Sequence, residues 1–133
     1  MSLHHVTIWV PDLDRAANAW GWLLERIGYE PTRSWEHGRL WQSGNTRIVL
    51  EASPDMVPGM LFSRMRPGLN HMAFELADEA EIVAVAGEAT SHGWTAIRNG
   101  PDEQMHPLAS GSTAAYLEDA DGFEVELVAT DHT

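Results

Sequence analysis

Apolar and polar positions alternate from Val6 to Val10: Val6, Ile8 and Val10 are separated by Thr7 and Trp9, and His5 precedes them in the register of the second set. A period of two is that of a strand with one face on a core. Pro11 closes the run, and "DLDRAANAWGWLLERIG" changes to helical spacing. Ala16, Ala19, Leu23 and Ile27 form the apolar stripe, Asp12 or Asp14 can cap the N-terminus, and Gly28 is a natural stop. A strand near Tyr29 to Trp35 and two more in "RLWQSGNTRIVLEA", turned at Gly44-Asn45, complete a β-α-β-β-β order.

Pro54, Pro58, Gly59, Pro67 and Gly68 break the middle of the chain, and the pattern restarts in "LNHMAFEL", where Met72, Phe74 and Leu76 alternate with His71, Ala73 and Glu75. A helix-like stretch to Gly93, a strand in "WTAIRNG" and a hairpin in "AAYLEDADGFEVELVA", turned at Asp121-Gly122, repeat the first order. His5 stands 23 residues before Gly28 and His71 22 before Gly93, and each glycine precedes an aromatic residue, Tyr29 or Trp94. The chain reads as one α+β domain, 1–133, built from two copies of a unit of about 55–60 residues. The first module covers 1–53, a linker 54–68, and the second module 69–130, lengthened by an insertion at 99–112.

With 133 residues, 44% of them hydrophobic, the chain can bury one core. A net charge of −12, from 20 acidic against 8 basic residues, argues against nucleic acid or an anionic membrane as partner. The absence of cysteine removes disulfides, thiol nucleophiles and thiolate metal sites. No apolar run approaches the roughly 18 residues of a membrane span, and no basic leader with an apolar core opens the chain, so a cytoplasmic location is the expectation.

Strand parity then selects candidate chemistry. His5 and His71 each open a module on the face away from the apolar set. In "TRIVLEA", Ile48 and Leu50 go with the helix side while Arg47, Val49 and Glu51 turn away. In "GFEVELV", Phe123, Val125 and Leu127 go inward while Glu124 and Glu126 turn away. One histidine at the start and one glutamate in the last strand of each module suit a divalent ion of the Zn, Ni, Co, Fe or Mn type. Four ligands imply a six-coordinate site with two exchangeable positions. Without Glu51 the set is two histidines and one carboxylate.

The segments "HHVTIWVPDLDRA", "LNHMAFEL" and "EDADGFEVELV" resemble the vicinal oxygen chelate superfamily, the group of glyoxalases, epimerases, fosfomycin-resistance transferases, extradiol dioxygenases and bleomycin-binding proteins. The resemblance covers nearly the whole chain. It implies two tandem βαβββ modules forming a half-open eight-stranded sheet around a cavity, with helices outside, and often a homodimer completing the cavity. It also implies metal ligation by His5 rather than His4, by His71 and by Glu126, with Asp119, Asp121 and Gly122 forming the turn before Glu126. Glu51 matches the additional carboxylate of glyoxalase-type members. The first helix departs from the pattern, with Trp22-Leu23 in place of the usual aromatic pair and about one extra turn in "AANAWGW".

Around this set, Thr7, Trp9, Arg47 and Trp41 are candidates to line the cavity and bind substrate, Glu124 its rim, and His106 a gate in the inserted loop. His4, His37, His92 and His132 read as ordinary solvated histidines. The expected function is a metal-dependent lyase or isomerase of glyoxalase or epimerase type. In it the ion chelates a small oxygenated substrate, and Glu126 or Glu51 moves a proton α to a carbonyl. The alternative is a protein of the same fold that sequesters an antibiotic or other natural product without metal.

Overall fold

The computed structural model describes residues 1–97 and 112–130 and divides into two compact units, Met1–Leu61 and Phe62–Thr133. The first unit contains β1 (Val6–Trp9), α1 (Leu13–Arg26), β2 (Glu30–Trp35), β3 (Gly38–Ser43) and β4 (Thr46–Glu51), with sheet order β1-β4-β3-β2. The second contains β5 (Met72–Glu75), α2 (Glu79–Ala89), β6 (Thr95–Ile97), β7 (Ser112–Glu118) and β8 (Glu124–Thr130), with order β5-β8-β7-β6. Both are βαβββ modules of one topology. The first strand pairs in parallel with the last, and the other pairs are antiparallel. The eight strands therefore form two hydrogen-bonded sheets of four.

In the first unit the parallel register places Val6 opposite Ile48 and Ile8 opposite Leu50, a buried apolar face on which α1 packs. Asp12 caps α1 by accepting from the Arg15 N–H, and Gly28 ends it with φ of 109°, a backbone that residues with a Cβ rarely adopt. Tyr29 follows, half-buried, and burial raises its phenol pKa, partly offset by a hydrogen bond with Thr46.

In the second unit Met72 faces Val125 and Phe74 faces Leu127, while Ile82, Val85 and Ala89 supply the buried stripe of α2. Asp78 accepts from the Glu81 N–H, satisfying one of the helix's unpaired donors, and the Glu81 carboxylate reaches back to the Ala77 N–H just before the cap. The loop between β7 and β8 is held by the nearly buried Asp119, whose Oδ1 accepts from the N–H groups of Asp121 and Phe123.

Trp41 takes a different place from the one expected for a cavity-lining residue. Its cross-strand partner is Ile48, so its side chain lies on the helix side, buried beneath α1. The indole rests against Gly21, where an added Cβ would stand 3.0 Å from the ring, and Nε1 lies 3.2 Å from Glu25 Oε2. Close packing of this ring accounts for a glycine in mid-helix, where it would otherwise cost about 0.5–1 kcal/mol relative to alanine.

Two glycines give opposite expectations for stability. A Cβ on Gly38 would collide with the Trp35 indole, whereas one on Gly87 in α2 meets nothing within 4 Å. Gly38→Ala is expected to lower unfolding free energy by about 1–3 kcal/mol, and Gly87→Ala to raise it by about 0.5–1 kcal/mol. Urea midpoints at constant m-value check both.

Candidate functional site

His5 and His71 occupy the same place in their units, the residue immediately before the first strand. The inner register that follows is not the same. In the second unit Ala73, two residues after His71, pairs with Glu126; in the first, Thr7, two residues after His5, pairs with Val49. The bonds that close each pair agree, since Val10 N–H donates to the Glu51 carbonyl at 2.9 Å and Leu76 N–H to the Val128 carbonyl at 2.8 Å. Val49 is thus the counterpart of Glu126, and Glu51 the counterpart of Val128. Glu51 stands two residues, about 7 Å, further along its strand than a carboxylate matching Glu126 would. Each module carries its glutamate in the last strand, as expected, with the two offset by two residues in register.

The side chains follow this offset. His71 Nε2 lies 3.1 Å from Glu126 Oε1, and its Nδ1 lies 2.8 Å from Asn70 Oδ1. Glu126 is 4% exposed, and among the described residues its side-chain partner is His71. Tyr116, opposite Glu126 in the register, sets its ring edge-on to the imidazole with centroids 6.3 Å apart. Glu51 instead accepts from Trp9 Nε1 at 3.0 Å, and His5 Nδ1 meets His4 Nδ1 at 2.9 Å, one donating to the other. His4 is therefore a direct neighbour of the candidate ligand.

The remaining candidates fall as follows. Thr7 and Trp9 share the face of Glu51, both exposed, with Trp9 at 46%. Arg47 is on that face too, and its Nη1 donates to the His4 carbonyl at 3.2 Å, bracing the chain just before His5. Glu124 is taken up by Arg64, whose Nε lies 3.3 Å from Glu124 Oε2 and whose Nη1 lies 3.2 Å from Glu118 Oε1. His106 lies outside the described residues. An open groove of about 370 Å³ along β2 and β3 includes Arg33 and Arg39, two strands away from β1.

The donor chemistry of the second unit fits a divalent ion. A carboxylate removed from water beside an imidazole needs a cation or a shared proton for compensation. A nitrogen and an oxygen bound to one ion at about 2.0–2.2 Å stand about 3 Å apart, the spacing His71 and Glu126 already hold. Among the described residues, no three His, Asp or Glu side chains gather within one unit to complete a site there. Asn70, Arg64, Tyr116 and His4 are the neighbours that sequence reasoning did not single out. The placement of Asn70 and His4 directly before the candidate histidines was the available signal for two of them.

The family model of the glyoxalase/bleomycin resistance protein/dioxygenase superfamily matches residues 4–116. The uncharacterized protein YqjT of Bacillus subtilis is 30% identical over 129 residues, which cover 96% of this chain and 98% of that protein. The crystal structure of a candidate glyoxalase from Bacillus halodurans is 34% identical with a TM-score of 0.81, covering 96% of this chain and 94% of that one. A glyoxalase/bleomycin resistance protein from Albidiferax ferrireducens shares the fold at 18% identity, with a TM-score of 0.74 and coverage of 97% and 98%. The chain belongs to the glyoxalase/bleomycin resistance protein/dioxygenase superfamily.

Proposed function

We propose that this protein is a metal-dependent enzyme acting on a small molecule with adjacent oxygen atoms, with His71 and Glu126 as protein ligands of the ion. The observation that carries the reading is the nearly buried Glu126 carboxylate set 3.1 Å from His71 Nε2. When bound, the ion supplies Lewis acidity, polarising a carbonyl and stabilising negative charge on its oxygen. We read Glu51, which accepts from Trp9 Nε1, as a separate carboxylate on the His5 face rather than a ligand of that ion.

In this role Glu51 is a proton carrier. Trp9 Nε1 donates to Oε1 and fixes the carboxylate's direction, leaving Oε2 to accept a proton from a carbon next to a carbonyl and to return it at the neighbouring position. That is lyase or isomerase chemistry. Trp9 offers a flat, half-exposed surface and Thr7 a hydroxyl on the same face, suited to holding a small oxygenated substrate. A homodimer is proposed as the working form, with the small molecule as its one class of ligand.

Adding Zn²⁺, Ni²⁺, Co²⁺, Fe²⁺ or Mn²⁺ at a hundredfold excess over its Kd should stabilise the wild type by about 2.7 kcal/mol in thermal unfolding. Glu51→Gln should retain this gain, and Glu126→Gln and His71→Ala should lose it; a loss in Glu51→Gln would restore the four-ligand site. Turnover of a dicarbonyl or hydroxy-carbonyl substrate should fall by about 10²–10⁴ in Glu51→Gln with the metal still bound. Chelation should abolish turnover. Ligand binding that is unchanged after chelation, without turnover, would instead identify a sequestering protein.

A further inference from the structure

The segment leading into β5 carries a hydrogen-bond chain whose direction is set by its terminal acceptor. The Arg64 carbonyl oxygen can only accept, so the Asn70 atom 3.0 Å from it is the amide nitrogen Nδ2. The amide oxygen Oδ1 then faces His71 Nδ1 at 2.8 Å. An amide oxygen likewise only accepts, so Nδ1 is the ring nitrogen that carries a hydrogen and donates it. A rotated Asn70 amide would set oxygen against the Arg64 carbonyl, and no alternative assignment satisfies both contacts.

Glu126 acts on the same ring in the opposite sense. With Oε1 3.1 Å from Nε2, a carboxylate acting alone favours a hydrogen on Nε2, which would occupy the lone pair needed to bind an ion or accept a proton. Asn70 competes for that hydrogen from the other side of the imidazole. Its anchor is firm, because the Arg64 side chain is ion-paired to Glu118 and Glu124, on the hairpin that also carries Glu126. The carbonyl that orients Asn70 and the carboxylate that faces Nε2 are thus held by the same two strands.

We propose that Asn70 is a positioning residue that holds a hydrogen on His71 Nδ1 and leaves the Nε2 lone pair to a proton or ion shared with Glu126, with Arg64 as its anchor. The ring's form is independent of the metal, while its consequence for binding rests on the ligand reading above.

The test is long-range ¹H–¹⁵N spectroscopy of the histidine rings in metal-free, full-length protein with the rings neutral, joined to a Co²⁺ titration. His71 is assigned by its absence in His71→Gln. The wild type is expected to show Nδ1–H. Asn70→Ala is expected to move toward Nε2–H and to bind Co²⁺ about 10–100-fold more weakly. Asn70→Asp, which keeps an acceptor for Nδ1 but loses the donor to the Arg64 carbonyl, should retain more Nδ1–H than Asn70→Ala. An Nε2–H ring in the wild type, or an unchanged ring in Asn70→Ala, overturns the inference, and the wild-type spectrum decides even if a variant does not fold. A ring that responds to Asn70→Ala in a protein that binds no Co²⁺ supports the role of Asn70 and removes the metal reading. A ring that does not respond in a protein that binds Co²⁺ does the reverse.

Discussion

Each module depends on the parallel pairing of its first strand with its last. Two parallel strands cannot be joined by a tight turn, so the chain between them must cross over, which here it does through a helix and two antiparallel strands. The pairing also sorts the side chains. Ile8 with Leu50 and Phe74 with Leu127 go to the helix, and Glu51 and Glu126 go to the other face. A slip of one residue would exchange these faces and expose the core, so burial holds parity strongly. A shift of two residues keeps every face, and burial does not forbid it. The two modules differ by such a shift in their acidic residues. That small difference separates a glutamate touching a histidine from a glutamate touching a tryptophan.

The second unit concentrates its polar groups where the sheet can hold them. Glu126 gives up nearly all contact with water, which its neighbours must offset. A proton or ion shared with His71 does so directly. Asn70, Arg64, Glu118 and Glu124 form a set of hydrogen bonds and ion pairs linking the segment before β5 to the β7–β8 hairpin, while Phe62 stacks on Phe123 with ring centroids 3.9 Å apart. On the corresponding face of the first unit His5 is exposed where His71 is half-buried, and Arg47 donates to a backbone carbonyl. The modules share topology while the burial of their glutamates differs, Glu126 being nearly buried and Glu51 half-buried.

Much of the fold is legible in the chain because the signals are local. Strand alternation, the caps at Asp12 and Asp78 and the stop at Gly28 each act within a few residues of the structure they specify. The sequence misleads at Trp41, since "RLWQS" has adjacent apolar residues, Leu40 and Trp41, and either can face inward. Pairing with Ile48 decides for Trp41, and the missing side chain of Gly21 provides the room. Arg47 and Glu124 show a similar limit. A charged residue on a polar face is compatible with a ligand, a substrate or an internal partner, and here the partners are the His4 carbonyl and Arg64.

From the sequence alone came the duplication, the βαβββ order, the faces of the strands and the choice of His5 and His71 as the histidines in register with those faces. These follow from periodicity, which sterics and burial impose on neighbouring residues. Tertiary structure decided how far along β4 and β8 each glutamate stands, and so which of them meets a histidine. It also decided that the amide of Asn70 turns its oxygen to His71 because its nitrogen is held by Arg64. Offsets between paired strands and the direction of an amide are settled by hydrogen bonds across the chain, and hydrophobic spacing carries no record of them.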